Sequence, residues 1–502
     1  MATQTPRDEA ARPSVRAPSR DTPSRQSDAT IGAMRSRPAR RHGRRCTQAT
    51  SVRGSPPRRG AGGHSGGHRQ VVAGSRSRLS EPILVNEMSP SGRTGEDELK
   101  RPTSAQLTFI SATVFLSFTG FSILIPVLPF LAAEYVGRES VALVVGLLLS
   151  SYALCSFLAA PGLGALSDRY GRRPILLVSL VGSIVGYLLL GIGGALWILF
   201  LGRVIDGVTG GNVGTAFAYV ADVTEPAERA KYYGILGAVA GLGFMFGPPI
   251  GGFSARLGIA APLYLAAGIT LLNLLWGYVA LPESLGPASR ITNVRLAELN
   301  PFSQFEKVVS VPSLGRLFAA ALVFFVAFNG MEGNSPVYLK DVFGWSASDI
   351  GTLLFVAGFV AALTQGVLVR KLLPRLGAAN VATLGLGIGV VGLLLAALTA
   401  VIVSAALLYA ATIFFVVGDG LFEPSNSALI SGAVDQTMQG RVQGASQAMQ
   451  SISRIIGPLL ANWIYGYGRA LPWLSEAALV TVALAVLVAS LPTIRTAIAH
   501  AS

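Results

Sequence analysis

The chain has 502 residues, 51% of them hydrophobic and 13% charged, with a mean hydropathy of +0.54. That balance excludes an ordinary soluble domain and describes a multi-span membrane protein diluted by a polar tail. The net charge of +14 does not point to nucleic acid. About half of the Lys and Arg precede Pro102, and the membrane part shows no basic stripe with interleaved aromatics.

The tail, residues 1–101, is rich in Arg, Ser, Pro and Gly and has few apolar side chains to offset its ordering entropy, so it is expected to be disordered. Up to Ser80 its only acids are Asp8, Glu9, Asp21 and Asp28. A solvated cytoplasmic tail, a transit peptide and an upstream start, with Met88 as the true start, all fit this composition.

From Leu107 onward about twelve apolar spans follow, at roughly 107–131, 141–165, 174–194, 196–222, 234–256 and 260–281, then 317–339, 348–369, 379–400, 403–431, 443–466 and 473–494. The pattern predicts an all-α polytopic membrane protein of two six-helix bundles, residues 102–282 and 317–502, joined by a central loop over 283–316. Placing the N-terminus inside puts Arg169, Arg172, Arg173, Arg229, Lys231, Arg290, Arg295, Lys307, Arg370, Lys371, Arg375 and Arg441 on the cytoplasmic side. Only Arg138, Arg256, Lys340 and Arg469 fall opposite, so the positive-inside bias predicts cytoplasmic termini. The halves also repeat. Lys231, Gly234, Gly247 and Pro248 match Arg441, Gly444, Gly457 and Pro458 (441 against 231, 457 against 247), an offset of 210 residues. A same-direction repeat of six-span halves is a transporter pattern.

Cys46 and Cys155 are the only cysteines, one in the tail and one in an apolar span, which argues against a disulfide or a thiolate metal cluster. The histidines are His42, His64, His68 and His500, none of them between Pro102 and Arg495. Proton chemistry in the membrane must therefore use carboxylates, and neither a metal nor a cofactor is expected. No Ser-His-Asp, Cys-His or phosphate-loop arrangement is present, so the chain is not expected to be an enzyme.

Between spans two and three lies a polar loop, Gly164-Ala-Leu-Ser-Asp168-Arg169-Tyr-Gly171-Arg172-Arg173-Pro174. Gly164, Leu166, Asp168, Arg169, Gly171, Arg172 and Arg173 match the signature G-x-L-x-D-R-x-G-R-R/K, and the chain resembles the major facilitator superfamily. Leu201–Gly210, Ala221–Thr224, Glu228–Gly234, Gly247–Gly252 and Gly440–Gly444 make it most similar to the tetracycline–proton antiporter branch of drug efflux proteins.

The resemblance implies alternating access, with two bundles rocking about a cavity lined chiefly by spans one, four, seven and ten. It implies that Asp168 sits near the start of span eleven, favoured by that helix dipole, that Arg172 pairs with Asp222, and that these contacts latch the outward-open state. Gly247, Pro248, Gly251 and Gly252 would shape span five against its neighbour, with ordinary small-residue packing as the alternative. One position departs from the pattern. The tetracycline exporters carry an acid in mid-span one where Ser117 stands here, which weakens the case for tetracycline and for a metal–drug chelate as cargo.

Charges inside the bilayer each require an account, since one at mid-helix costs about 2.5–3.5 kcal/mol. Arg203 and Asp206 share one face of span four and are expected either at the cavity or as a self-satisfied structural pair. Glu332 lies in a Gly- and Asn-rich stretch of span seven that reads as a broken helix lining a cavity. Asp419 and Glu423 are one turn apart on span ten. They read as a proton-sharing pair suited to coupling, or as acids neutralised by Arg454 of span eleven.

These readings predict a proton-coupled exporter of a small organic or drug-like solute, monomeric in the lipid bilayer. It would lie in the plasma or inner membrane, or in an organelle membrane if the tail is a transit peptide. A metabolite symporter or facilitator, and a non-transporting receptor or scaffold of the same fold, stand as alternatives.

Overall fold

The computed structural model describes residues 104–291, 300, 312–434 and 438–501. The tail over residues 1–101, with His42, His64, His68, Cys46 and Met88, lies outside the described residues, as do Arg295 and Lys307. Every regular element among the described residues is helical.

Twelve passes follow in order. They are α1 (Ser104–Ile123), α2 (Val141–Tyr170), α3 (Arg172–Ile192), α4 (Leu196–Thr209 and Asn212–Val223), α5 (Arg229–Ser254) and α6 (Ala261–Ala280). The second set is α7 (Pro312–Val342), α8 (Ala347–Leu363, a π turn Thr364–Leu368, then Val369–Leu376), α9 (Ala378–Leu398), α10 (Ala405–Gly432), α11 (Gln439–Tyr465) and α12 (Leu471–Ala501).

Ten of these passes are long and apolar enough to cross a membrane. The two exceptions have separate causes. α4 is divided at Gly210 and Gly211 into helices of 14 and 12 residues. Glycine holds a helix poorly, and Leu163 of α2 comes to 2.5 Å from the point where a Cβ on Gly211 would sit. α11 has the length but not the apolarity. Its residues Gln443, Gln447, Ser451 and Arg454 recur at helical spacing and form a polar stripe. Elsewhere Leu272, Leu275, Val279, Phe359 and Val401 are exposed, as lipid-facing surfaces require.

The two bundles share one packing plan. In the first, α1 packs on α5 and α6, α3 on α4 and α6, and α2 on α4; in the second, α7 packs on α11 and α12, α9 on α10 and α12, and α8 on α10. The sequence repeat appears here as close helix approach, which drives association where lipid removes the hydrophobic contrast. A Cβ on Gly247 of α5 would lie 2.7 Å from Thr119 O of α1, and one on Gly457 of α11 would lie 2.6 Å from Val326 O of α7. The tight turns repeat as well. Gly171 (φ 106°) joins α2 to α3 and Gly377 (φ 76°) joins α8 to α9, each in a conformation that a Cβ would strain.

The bundles meet along two seams, α2 with α11 and α5 with α8. Both close at the end opposite the Asp168 loop. Ser150 Oγ donates to Ile455 O at 2.6 Å, Arg256 Nε to Ser348 Oγ at 2.9 Å, Ser348 Oγ to Gly252 O at 2.9 Å, and Lys340 Nζ to Pro129 O at 2.8 Å. Gly146 of α2 has Pro458 O at 2.9 Å from its Cβ position and Gly351 of α8 has Pro248 O at 2.5 Å, whereas Gly164 of α2 and Gly366 of α8 have open space. The seams thus part toward the Asp168 end.

Candidate functional site

The loop between α2 and α3 is a bonded network. Arg172 Nη1 pairs with Asp168, and Arg172 Nε donates to Asp222 Oδ2 at 2.9 Å. Ser284 Oγ also donates to Asp222 Oδ2, at 3.0 Å. Asp168 is 44% exposed at its side chain and is held by Arg172 of its own bundle. Arg169 stacks on Tyr170 at 5.3 Å, and Arg173 Nη2 donates to Tyr278 O at 2.6 Å.

A further residue completes this network. Glu283 Oε1 accepts from Arg172 N at 2.8 Å and Oε2 from Arg173 N at 3.3 Å, which satisfies free amides at the N-terminus of α3. Glu283 also lies against Gly171, where a Cβ would strike its carboxylate. Sequence reading did not find it, because α6 delivers it from more than 100 residues away.

Arg203 and Asp206 need a correction. They do not line a cavity; they are buried inside the first bundle, 1% and 4% exposed. Asp206 Oδ2 accepts from Arg203 Nη1 at 3.4 Å and Oδ1 from Ser183 Oγ of α3 at 2.8 Å. The Arg203 guanidinium stacks over Tyr152 of α2 at 4.2 Å, and its Nε donates to Leu148 O at 3.4 Å. The physical reason is the glycine faces around the pair. A Cβ on Gly186 would lie 2.7 Å from Asp206 Cβ, and one on Gly207 would lie 2.7 Å from Tyr152 O, so α2, α3 and α4 close over it.

The second bundle is different. Asp419 of α10 lies within the electrostatic reach of Glu423 and of Glu332 of α7, and both glutamates lie in the field of Arg454 of α11. Arg454 is exposed, while Glu332 and Glu423 are half-buried. Glu332 lies within one continuous helix, so the break expected around it is absent; Pro336 and the nearby glycines are accommodated inside α7. Gln443 and Gln447 are exposed on the same face of α11 as Arg454. A polar stripe of this kind cannot face lipid and belongs to an aqueous space. Its spacing was a readable signal that the charge-centred reading passed over. Among the described residues, no three His, Cys, Asp or Glu side chains converge as metal ligands.

A cavity of about 400 Å³ lies on the first-bundle side, lined by Leu107, Ser111 and Phe115 of α1, Val220 of α4, and Tyr232 and Leu236 of α5. Ser117 turns back on its own helix and donates to Thr113 O at 2.7 Å. In the packing motif of α5, Gly251 abuts Ile123 O of α1 and Gly252 abuts Ala347 O of α8, with Pro248 O facing Gly351. This stretch therefore serves both the bundle interior and the seam between bundles.

At the opposite end, Asp341 of α7 joins three groups. It pairs with Arg138 of the first bundle, accepts from Tyr465 Oη at 2.8 Å, and lies 3.3 Å from Arg469 Nε.

A family description for the Major Facilitator Superfamily matches residues 110–495. The chain belongs to that superfamily. It is 35% identical over 387 residues to the class C tetracycline resistance protein of Escherichia coli, covering 75% of this chain and 95% of that protein. It is 27% identical over 384 residues to multidrug resistance protein 2 of Bacillus subtilis (strain 168), covering 75% and 93%. Among solved structures, the human organic anion transporter MFSD10 (TETRAN) superposes with a TM-score of 0.60 at 24% identity, over 77% of this chain and 100% of that one. A bacterial homolog of the human lysosomal transporter Spinster, in an inward-facing and occupied conformation, gives 0.63 at 15% identity, over 77% and 96%. The chain is therefore a multi-pass membrane transporter of the superfamily that holds the tetracycline efflux proteins, and not an enzyme.

Proposed function

We propose that this chain exports a small organic or drug-like solute in exchange for protons, as a monomer, with both termini and the Asp168 loop in the cytoplasm of a plasma or inner membrane. One observation carries the proposal: Asp419 interacts with both Glu423 and Glu332, and the Arg454 guanidinium acts on the two glutamates but not on Asp419. One buried acid and two half-buried ones beside a single cation do not all ionise readily in low dielectric, so the group is suited to take up and release protons as its surroundings change. The relatives named for tetracycline and multidrug resistance support efflux as the direction. The apolar cavity beside α1 and α5 supports an amphiphilic cargo, since it offers aromatic and aliphatic contact but no charge.

The seams closed opposite Asp168 and parted toward it correspond to the cytoplasm-open half of the cycle. Closure of the Asp168 end would bring α2 and the start of α11 together, and the carboxylate of Asp168 would then meet the positive end of that helix.

The test is the purified chain in proteoliposomes under an imposed pH gradient, with tetracycline as the first probe and lipophilic amine drugs after it. Solute and protons moving in opposite directions, with coupling lost in Glu332→Gln and Glu423→Gln, is the expected result. Co-directional movement would replace antiport with symport. Coupling intact in both variants would remove the carboxyl group from the mechanism.

A further inference from the structure

One buried carboxyl takes no part in the reading above. Glu476, in the second turn of α12, is 2% exposed, and neither of its oxygens has a hydrogen-bond partner. It lies where α12 meets α7 and α11. A Cβ on Gly330 of α7 would lie 3.1 Å from Glu476 Oε1, 3.2 Å from Gly457 O and 3.3 Å from Ala461 Cβ.

The surroundings are polar but unbonded. Gly330, Asn334 and Tyr338 recur every four residues and share one face of α7. Tyr338 meets Trp473 of α12 edge to face with centroids 5.1 Å apart, which fixes the register of the two helices and sets Asn334 between that contact and Gly330. Asn334 is fully buried with neither amide atom bonded, and the Nε1 of buried Trp473 is also unbonded. Beyond them, Tyr338 Oη bonds Thr399 Oγ1 at 2.7 Å, and the Tyr338 ring lies 6.4 Å from Tyr465, whose hydroxyl donates to Asp341. A file of polar groups thus runs from Glu476 to the outer end of the bundle.

Among the described residues, no charge compensates Glu476. α9 carries no titratable residue. On α7, Glu332 is two residues past Gly330 and so turned to another face, while Lys340 and Asp341 lie at the outer end. On α11, Arg454 lies two turns inward of Ala461, and Tyr465 is bonded to Asp341. On α10, Asp419 and Glu423 belong to the Arg454 group, and Tyr409 lies a turn from the start of the helix. A carboxyl serving only to pack would use the donors beside it, yet Asn334 Nδ2 and Trp473 Nε1 are both unspent. Orphaned buried polar atoms of this kind are the usual partners of internal water.

We propose that Glu476 is a proton-binding carboxyl of the second bundle, exchanging its proton with the outer aqueous phase through internal water held by Asn334, Trp473 and Tyr338. Its place in transport rests on the proton-coupled reading above, but its proton binding can be measured without transport. It lies level with Gly330, on a face of α7 other than that of Glu332, and gives protons a route that the cargo does not share.

The experiment is infrared difference spectroscopy of the full chain in liposomes across a pH titration, with Glu476→Gln and Glu476→Asp checked for unchanged melting temperature. The expected result is a neutral-carboxyl carbonyl band that responds to outer pH, is lost in Glu476→Gln and persists, shifted, in Glu476→Asp. In Asn334→Leu or Trp473→Phe the band should remain but answer a pH jump several-fold more slowly. A band unaffected by Glu476→Gln, or one that pH never alters, would overturn the site. Tetracycline-driven proton flux in the same vesicles separates the two readings. A titrating Glu476 band without such flux supports the site while antiport fails, and flux with no Glu476 band does the reverse.

Discussion

In the first bundle the buried charges are spent on one another, with Arg203, Asp206, Ser183 and Tyr152 forming a closed set between α2, α3 and α4. In the second, built on the same packing plan, Glu332 and Glu423 lie in the field of one exposed arginine, Asp419 interacts with both acids, and the Glu476 oxygens have no hydrogen-bond partner among the described residues. The difference teaches that the repeat conserves how helices approach while leaving the polar interior free to diverge. A satisfied pair costs little to keep and holds one arrangement. An unsatisfied carboxyl has an energy that depends on its proton, which is what coupling requires.

The largest expected effect tests the closed set. Asp206→Asn leaves Arg203 buried without a counter-charge and should destabilise the protein by about 3–5 kcal/mol, read as a fall in melting temperature in detergent. Replacing both residues together, Arg203→Met with Asp206→Leu, should recover most of that loss. An Asp206→Asn protein with normal melting temperature and lost coupling would break the contrast and return Asp206 to the proton pathway.

Next in size are the glycines that the halves share. Gly247→Ala and Gly457→Ala each place a methyl against backbone of the neighbouring helix and should cost about 1–3 kcal/mol, about equally in the two bundles. Unequal costs would show that the packing repeat is less symmetric than the helix pairings imply.

The smallest effect belongs to the outer rim. Arg138→Ala removes an exposed partner of Asp341 and should not move the melting temperature measurably. It should speed thiol labelling of Ser150→Cys at the α2–α11 seam. Unchanged labelling would show that the seam is held by packing alone.

The fold was highly legible. Hydrophobic runs of bilayer length set the number of passes, and the Gly164–Arg173 loop named the family, because both depend on local sequence. Gly171 was readable as part of a motif, but its reason, the carboxylate of Glu283 beside a positive φ, needed α6 brought back to the loop. Arg203 and Asp206 were found as a pair, since one face at i and i+3 is a local fact. Which way that face turns is not local, and it was decided by glycines on α3 that let the helices close. Gln443, Gln447 and Arg454 were legible by spacing once a polar stripe was sought.

Sequence alone thus determined what each helix can do by itself: its length, its apolarity, and which residues share a face; the break came in α4 at Gly210 and Gly211, not in α7 where it was expected. Those properties depend on neighbours along the chain. Tertiary structure decided which charges are neutralised, because compensation acts across space, between helices far apart in order. It paired Arg203 with Asp206 between α2 and α3, and it placed Glu283 on the α3 N-terminus. It also enclosed Glu476 among α7, α11 and α12 with Asn334 Nδ2 and Trp473 Nε1 left unbonded, an arrangement that only the packing of three helices creates.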